Sequence, residues 1–143
     1  MKSDLVVALD NLDPASALRT TQELRSYGVK WFKVGYELFI KAGPSLVSSL
    51  KKNGDKVFLD LKLHDIPNTV SHAAKASADL GADLLTIHAL NGPKALSAAA
   101  RAVQGSSLKL VAVTLLTSHS DEELTQLFLD SNPHDKQYKF NKI

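Results

Sequence analysis

The chain has 143 residues, of which 44% are apolar and 22% charged, with a formal net charge of +2 and no cysteine. That is the balance of a soluble globular domain long enough to bury a real core. It excludes disulfides and thiolate metal sites, and near-neutrality without a Lys/Arg run argues against a nucleic-acid or membrane partner.

The first apolar run, Leu5–Leu9 (LVVAL), is too short for a signal-peptide core or a membrane span, so a cytoplasmic protein is expected. Asp13-Pro14 then reads as an N-cap with proline in the first helical turn, and Gly28 closes that helix. Trp31–Val34 (WFKV) is the second strand. Pro44 opens a helix that ends at Gly54, and Lys51-Lys52 reads as its solvated end. Val57–Leu63 (VFLDLKL) is the third strand, followed by a helix from Pro67 to Gly81. Leu84–Ala89 (LLTIHA) is the fourth, followed by an Ala-rich helix from Pro93 to Gly105. Leu108–Leu116 (LKLVAVTLL) is the fifth, and Ser120 with Glu123 forms a capping box for a last helix.

The strand centres recur about every 26–28 residues, the length of one strand plus one helix. The runs are short and rich in Val, Leu and Ile, which suits buried parallel strands. The pattern predicts a parallel α/β fold with right-handed crossovers. A sixth strand is due near residues 135–140, but "SNPHDKQYKFNKI" has no apolar run. The expected division is therefore a repeat-bearing domain over residues 1–130 and a polar tail over 131–143. Either the fold is a five-unit open sheet or the chain is the front part of something longer.

Polar residues interrupt the strands at their carboxyl ends. Asp10 ends the first, Lys33 lies in the second, Asp60 and Lys62 lie near the end of the third with Asp65 just beyond, His88 ends the fourth, and Thr117 and Ser118 end the fifth. In parallel α/β folds those ends form the active-site rim. Asp60 and Lys62 are two residues apart and face one side of a strand, while Leu59, Leu61 and Leu63 face the other. A lone Asp10 reads as a turn former or cap. His64 and His88 taken singly read as hydrogen-bonded structural residues, and His72 and His119 as helix-surface residues. Asp60, Lys62, Asp65 and Lys33 together are different. Burying an ion costs several kcal/mol, and a structural salt bridge needs one pair rather than four charges on one rim.

Asp60-x-Lys62-x-x-Asp65 followed by Ile66-Pro67-Asn68-Thr69 resembles the signature of orotidine 5′-monophosphate decarboxylases. "VVALD" with Asp10, "KVGYELF" with Lys33 and "VTLLTS" with Thr117 resemble that family's first, second and fifth strands. The resemblance covers roughly residues 4–128 and implies a (β/α)₈ TIM-type barrel, of which this chain supplies about five units. It also implies a homodimer with no metal and no organic cofactor. The reaction implied is decarboxylation of orotidine 5′-monophosphate to UMP in pyrimidine biosynthesis. By resemblance Lys62 donates the proton to C6 and Asp60 lies beside the departing carboxylate, with Lys33 and Asp65 completing an alternating charge network. Asp10 and Lys33 resemble ribose contacts and Thr117 a contact near the base, while Asp65 and Thr69 reach into the partner subunit's site. The phosphate-binding and lid residues of the family belong to a part with no counterpart here.

Three rivals stand beside this reading. One is a related barrel enzyme acting on sugar phosphates with Mg²⁺, which shares D-x-K-x-x-D but not the Ile66-Pro67-Asn68-Thr69 continuation. Another is an inactive truncated or frameshifted product. The last is a plain binding module, which explains the strands but not the charged cluster.

Overall fold

A computed structural model describes residues 4–128. The elements run β1 (Val6–Ala8), α1 (Pro14–Ser26), β2 (Trp31–Gly35), α2 (Tyr36–Ala42), α3 (Pro44–Lys52), β3 (Lys56–Leu63), α4 (Pro67–Asp79), β4 (Leu84–His88), α5 (Gly92–Ala102), β5 (Lys109–Val113) and α6 (Asp121–Phe128). The expected tail over 131–143 lies outside the described residues. The chain divides into two compact units after Val113. Among the described residues no helix is long and apolar enough to cross a membrane.

In the first unit the five strands form one parallel sheet in the order β1-β2-β3-β4-β5. The punctuation works as its chemistry requires. The Asp13 carboxylate accepts the Ser16 N–H at 2.9 Å, satisfying one of the free amides at the start of α1. Gly28 takes φ 85°, a left-handed conformation that glycine adopts without steric cost, and α1 stops there. Val57, Leu59 and Leu61 of β3 are buried at alternate positions and join one core cluster with Phe32, Val34, Leu85 and Ile87 of the sheet. Leu38, Leu46, Val47, Leu50, Val70, Ala74 and Ala99 of the helices belong to the same cluster.

Three local expectations are corrected. The helix α2 was not foreseen: it follows β2 directly and has no side-chain cap, so it lacks the usual start signal. Gly43, at φ 62°, breaks it from α3. The fifth strand stops at Val113 rather than Leu116, because its ladder partner β4 ends at His88, which pairs with Val113. Lys51 is not a solvated helix end: its ammonium lies 2.6 Å from Asp83, whose side chain is only 8% exposed.

The second unit contains α6. Its capping box is formed as expected, with Ser120 N–H donating to Glu123 at 2.8 Å and Glu123 N–H to the Ser120 hydroxyl at 3.2 Å. His119 precedes this helix rather than lying on its surface, with Nδ1 3.7 Å from Glu123.

Candidate active site

The carboxyl ends of β1, β2 and β3 bring four charged side chains into one line. The Lys33 ammonium donates to both Asp10 oxygens, at 3.0 and 2.7 Å, and lies 3.4 Å from Asp60. The Lys62 ammonium donates to both Asp60 oxygens at 2.9 Å. The order is Asp10, Lys33, Asp60, Lys62, alternating in sign. Parallel register produces it, since Ala8 of β1 pairs with Lys33, and Gly35 of β2 pairs with Asp60.

Asp60 is the hub. Burial on its own pushes the carboxyl pKa up. The hydrogen bonds from Lys62 and from the Thr86 hydroxyl, with the charges of Lys62 and Lys33, outweigh burial and hold it below the ordinary carboxylate value. Asp60 is therefore an anion at neutral pH, beside an ammonium whose side chain remains 37% exposed. The Lys62 backbone is unusual: φ is 43°, the left-handed region that disfavours residues with a Cβ. Asp60 and Lys62 nevertheless share a face as expected, since the Lys62 ammonium reaches both Asp60 oxygens while Leu59 and Leu61 are buried on the other side. The β3–β4 register slips between Leu59 and Leu63, so Lys62 lies within a bulge.

The remaining candidates sit elsewhere. Asp65 is exposed and carries no salt bridge among the described residues; its Oδ1 accepts the Ile66 N–H at 2.6 Å. Thr69 is exposed in the first turn of α4. Thr117 belongs to the second unit. His88 accepts the Leu90 N–H at its Nδ1, 3.3 Å away, and stacks on His64 with ring centroids 5.1 Å apart. An open cleft of about 500 Å³ lies beside Asp65, lined by His64, Ile66, Pro67, Leu90 and Asn91. Among the described residues no three His, Asp or Glu side chains form a group able to hold a metal ion.

The family model described as Orotidine 5'-phosphate decarboxylase / HUMPS family matches residues 3–138. The chain belongs to this family. Among curated decarboxylases, that of Nitrosomonas europaea is 47% identical over 129 residues, covering 90% of this chain and 55% of that protein. That of Parasynechococcus marenigrum is 47% identical over 127 residues, covering 84% and 51%. The chain spans about half the length of the curated relatives it matches.

Solved structures agree. The orotidine 5'-phosphate decarboxylase of Lactobacillus acidophilus superposes with a TM-score of 0.76 at 37% identity, covering 95% of this chain and 63% of that one. The Methanocaldococcus jannaschii enzyme, solved in complex with the inhibitor BMP, gives 0.72 at 30% identity, covering 80% and 53%. The fold is the (β/α)₈ TIM-barrel type, with five of its units present.

Within this family member, sequence reasoning missed Thr86, Asn91 and Gly35. Thr86 and Asn91 are ordinary polar residues with no motif around them. Gly35 carried a signal only in retrospect: a Cβ there would meet Asp10 Oδ1 at 2.6 Å, so the Asp10–Lys33 pair needs the bare backbone.

Proposed function

We propose that this chain carries the catalytic charge network of an orotidine 5′-monophosphate decarboxylase, forming UMP and CO₂, with Lys62 as the proton donor. The observation that carries the reading is the Asp10–Lys33–Asp60–Lys62 line at the carboxyl ends of a parallel sheet, in a chain of this family. Loss of CO₂ from C6 of the pyrimidine leaves negative charge on carbon. A fixed ammonium answers both needs of that step: it stabilises the charge as it develops and supplies the proton that ends it. Asp60 lies beside the departing carboxylate, while its contacts with Lys33 and Lys62 hold the cations in place. Asp10 and Lys33 bind ribose hydroxyls, and Thr117 lies near the base. The work falls to side chains, with no metal or organic cofactor.

The proposed protein is a cytoplasmic homodimer in which Asp65 and Thr69 serve the partner's site. Asp65 is free of ion pairs among the described residues, and the apolar side chains Ile66 and Leu90 beside it are 65% and 53% exposed. Both features suit a surface that a second copy covers. A further reading concerns residues 1–143 alone, which we expect to be catalytically silent. The coverage of relatives favours it, as do the exposed apolar residues Val6 of β1 and Val111 of β5, the two outer strands.

The test is turnover of orotidine 5′-monophosphate by this chain fused to the remaining length of a curated relative. Lys62→Ala is expected to lose at least the 10²–10⁴-fold typical of a general acid. A variant keeping more than about a tenth of the activity overturns the assignment. Mixed Lys62→Ala and Asp65→Ala subunits are expected to regain activity, since one site of the heterodimer carries neither change. No recovery after verified exchange places Asp65 in its own subunit's site.

A further inference from the structure

We propose that Thr86 and Asn91 are positioning residues that brace the stretch from Asp60 to Asp65 and fix the direction of the Lys62 ammonium. The proposal rests on the reading of Asp60 and Lys62 as the reacting pair. It starts from a gap in the sheet. On β3 the pairing passes from Leu59 to Leu63, four positions, while on β4 it passes only from Leu85 to Ile87, two positions. Two extra residues therefore bulge from β3, and the polar stretch Asp60–Lys62 lies in the bulge.

A bulge removes ladder bonds, and each freed backbone group needs another partner. Thr86 stands opposite, 3% exposed. Its hydroxyl accepts the Lys62 N–H at 2.8 Å and donates its one hydrogen to Asp60 Oδ1 at 2.9 Å. The same atom thus secures the backbone of the ammonium residue and the carboxylate that the ammonium grips. A left-handed residue with a Cβ persists only where its surroundings over-determine it. The bond to Thr86 is such a constraint.

Asn91 does the same at the exit of the bulge. Its Oδ1 accepts the Asp65 N–H at 2.9 Å, and its Nδ2 donates to the carbonyls of Leu63 at 2.7 Å and His88 at 2.8 Å. Three backbone groups on two strand ends are tied by one amide. Between Thr86 and Asn91 the polar stretch is held at both ends by β4 and the turn that follows it.

Three variants of the chain test this: Thr86→Val, nearly isosteric but unable to accept or donate; Thr86→Ser, which keeps the hydroxyl; and Asn91→Leu. The readouts are residue-resolved amide hydrogen exchange and carboxyl titration by NMR, both without substrate. Failure of the brace is therefore distinct from absence of decarboxylase activity. Thr86→Val is expected to speed Lys62 amide exchange at least tenfold while Phe32 and Val34 stay protected, and to move Asp60 titration to higher pH. Thr86→Ser is expected to restore both, and Asn91→Leu to speed Asp65 exchange. Wild-type exchange and titration in Thr86→Val, or no restoration by Ser, overturns the role of Thr86. Asn91 lies on a partly exposed turn, so its variant reads out even if Thr86→Val does not fold, and unchanged Asp65 exchange there overturns the brace.

Discussion

The sheet carries charge at both ends, and the two ends use it in opposite ways. At the amino ends of β3 and β4 the carboxylates are closed off. Arg25 of α1 grips Asp55 with two N–H groups, at 2.8 and 2.9 Å, and the Asp55 side chain is 2% exposed. Lys51 of α3 and Lys56 of β3 take one Asp83 oxygen each, at 2.6 and 2.7 Å, and the buried Val57 N–H adds a third bond at 2.8 Å. These contacts tie helices to the sheet. At the carboxyl ends the charged residues come from the strands and the turns after them, and Asp60 is shared by two ammonium groups and a hydroxyl. The strain differs too. Among the described residues, the positive-φ residues other than glycine are Asn11 and Lys62, both at the carboxyl ends. A buried ion pair therefore does not by itself mark a site. What sets the proposed site apart is a line of shared charge that includes a residue on left-handed backbone.

The comparison breaks most visibly if the two ends fail to separate stability from turnover. Lys62→Ala is expected to remove at least 10²–10⁴-fold of activity in the fused protein and to lower the urea midpoint less than Arg25→Ala does, because Asp60 keeps Lys33 and the Thr86 hydroxyl as partners. Arg25→Ala leaves Asp55 buried without its cation, and breaking a buried pair in that way costs about 3–5 kcal/mol. Its turnover, measured where it remains folded, is expected within a few-fold of the parent. Equal losses of both properties in either variant remove the distinction.

Acid sharpens it next. For Asp83, burial pushes the pKa up, but the bonds from Lys51, Lys56 and the Val57 N–H, with the Lys51 charge, hold it below the ordinary 3.8. Asp60 is lowered by the same kind of balance. A carboxyl with a lowered folded pKa adds stability that is complete above its unfolded value and fades as pH falls through the folded one. Urea unfolding from pH 6 downward is therefore expected to show a loss of stability that steepens below about pH 4. Asp83→Asn lowers stability at neutral pH and flattens that acid limb, with turnover retained. Asp60→Asn flattens it as well, but abolishes turnover. An acid limb as steep in Asp83→Asn as in the parent places the titrating group elsewhere.

Much of the fold was legible because its signals are local. Short aliphatic runs, prolines opening helices, glycines closing them and the Ser120–Glu123 capping box are local signals, and among the described residues they located the five strands and every α-helix except α2. Lys33, Asp60 and Lys62 were legible because charges interrupt apolar strands, whereas Asp10, read alone as a turn former or cap, joins the line in place of the expected Asp65. The amino-end pairs were not, since Arg25 meets Asp55 and Lys51 meets Asp83 across 30 and 32 residues of chain. Lys51, read alone, looks like any helix-end lysine. The bulge was equally hidden: nothing in "LDLKL" says that the Lys62 backbone turns left-handed, because the cause is the neighbouring strand and the Thr86 hydroxyl on it.

The smallest effect separates the two ends of one strand by sign. Lys62 and Lys56 both lie on β3, but only Lys62 has positive φ. Replacing either lysine by Ala or by Gly removes the same charged side chain, so the Ala–Gly difference isolates the backbone. At Lys56, in extended conformation, glycine has more freedom to lose on folding, and Lys56→Gly is expected about 0.5–1 kcal/mol less stable than Lys56→Ala. At Lys62 the alanine Cβ keeps the left-handed penalty of about 1–2 kcal/mol, which glycine escapes. That exceeds the entropic cost of glycine, so Lys62→Gly is expected to be the more stable of its pair by about 0.5–1 kcal/mol. Urea unfolding of the four variants gives both differences directly. Were Lys62→Gly the weaker, like Lys56→Gly, the carboxyl end would hold no stored strain, and the bulge would be ordinary strand in solution.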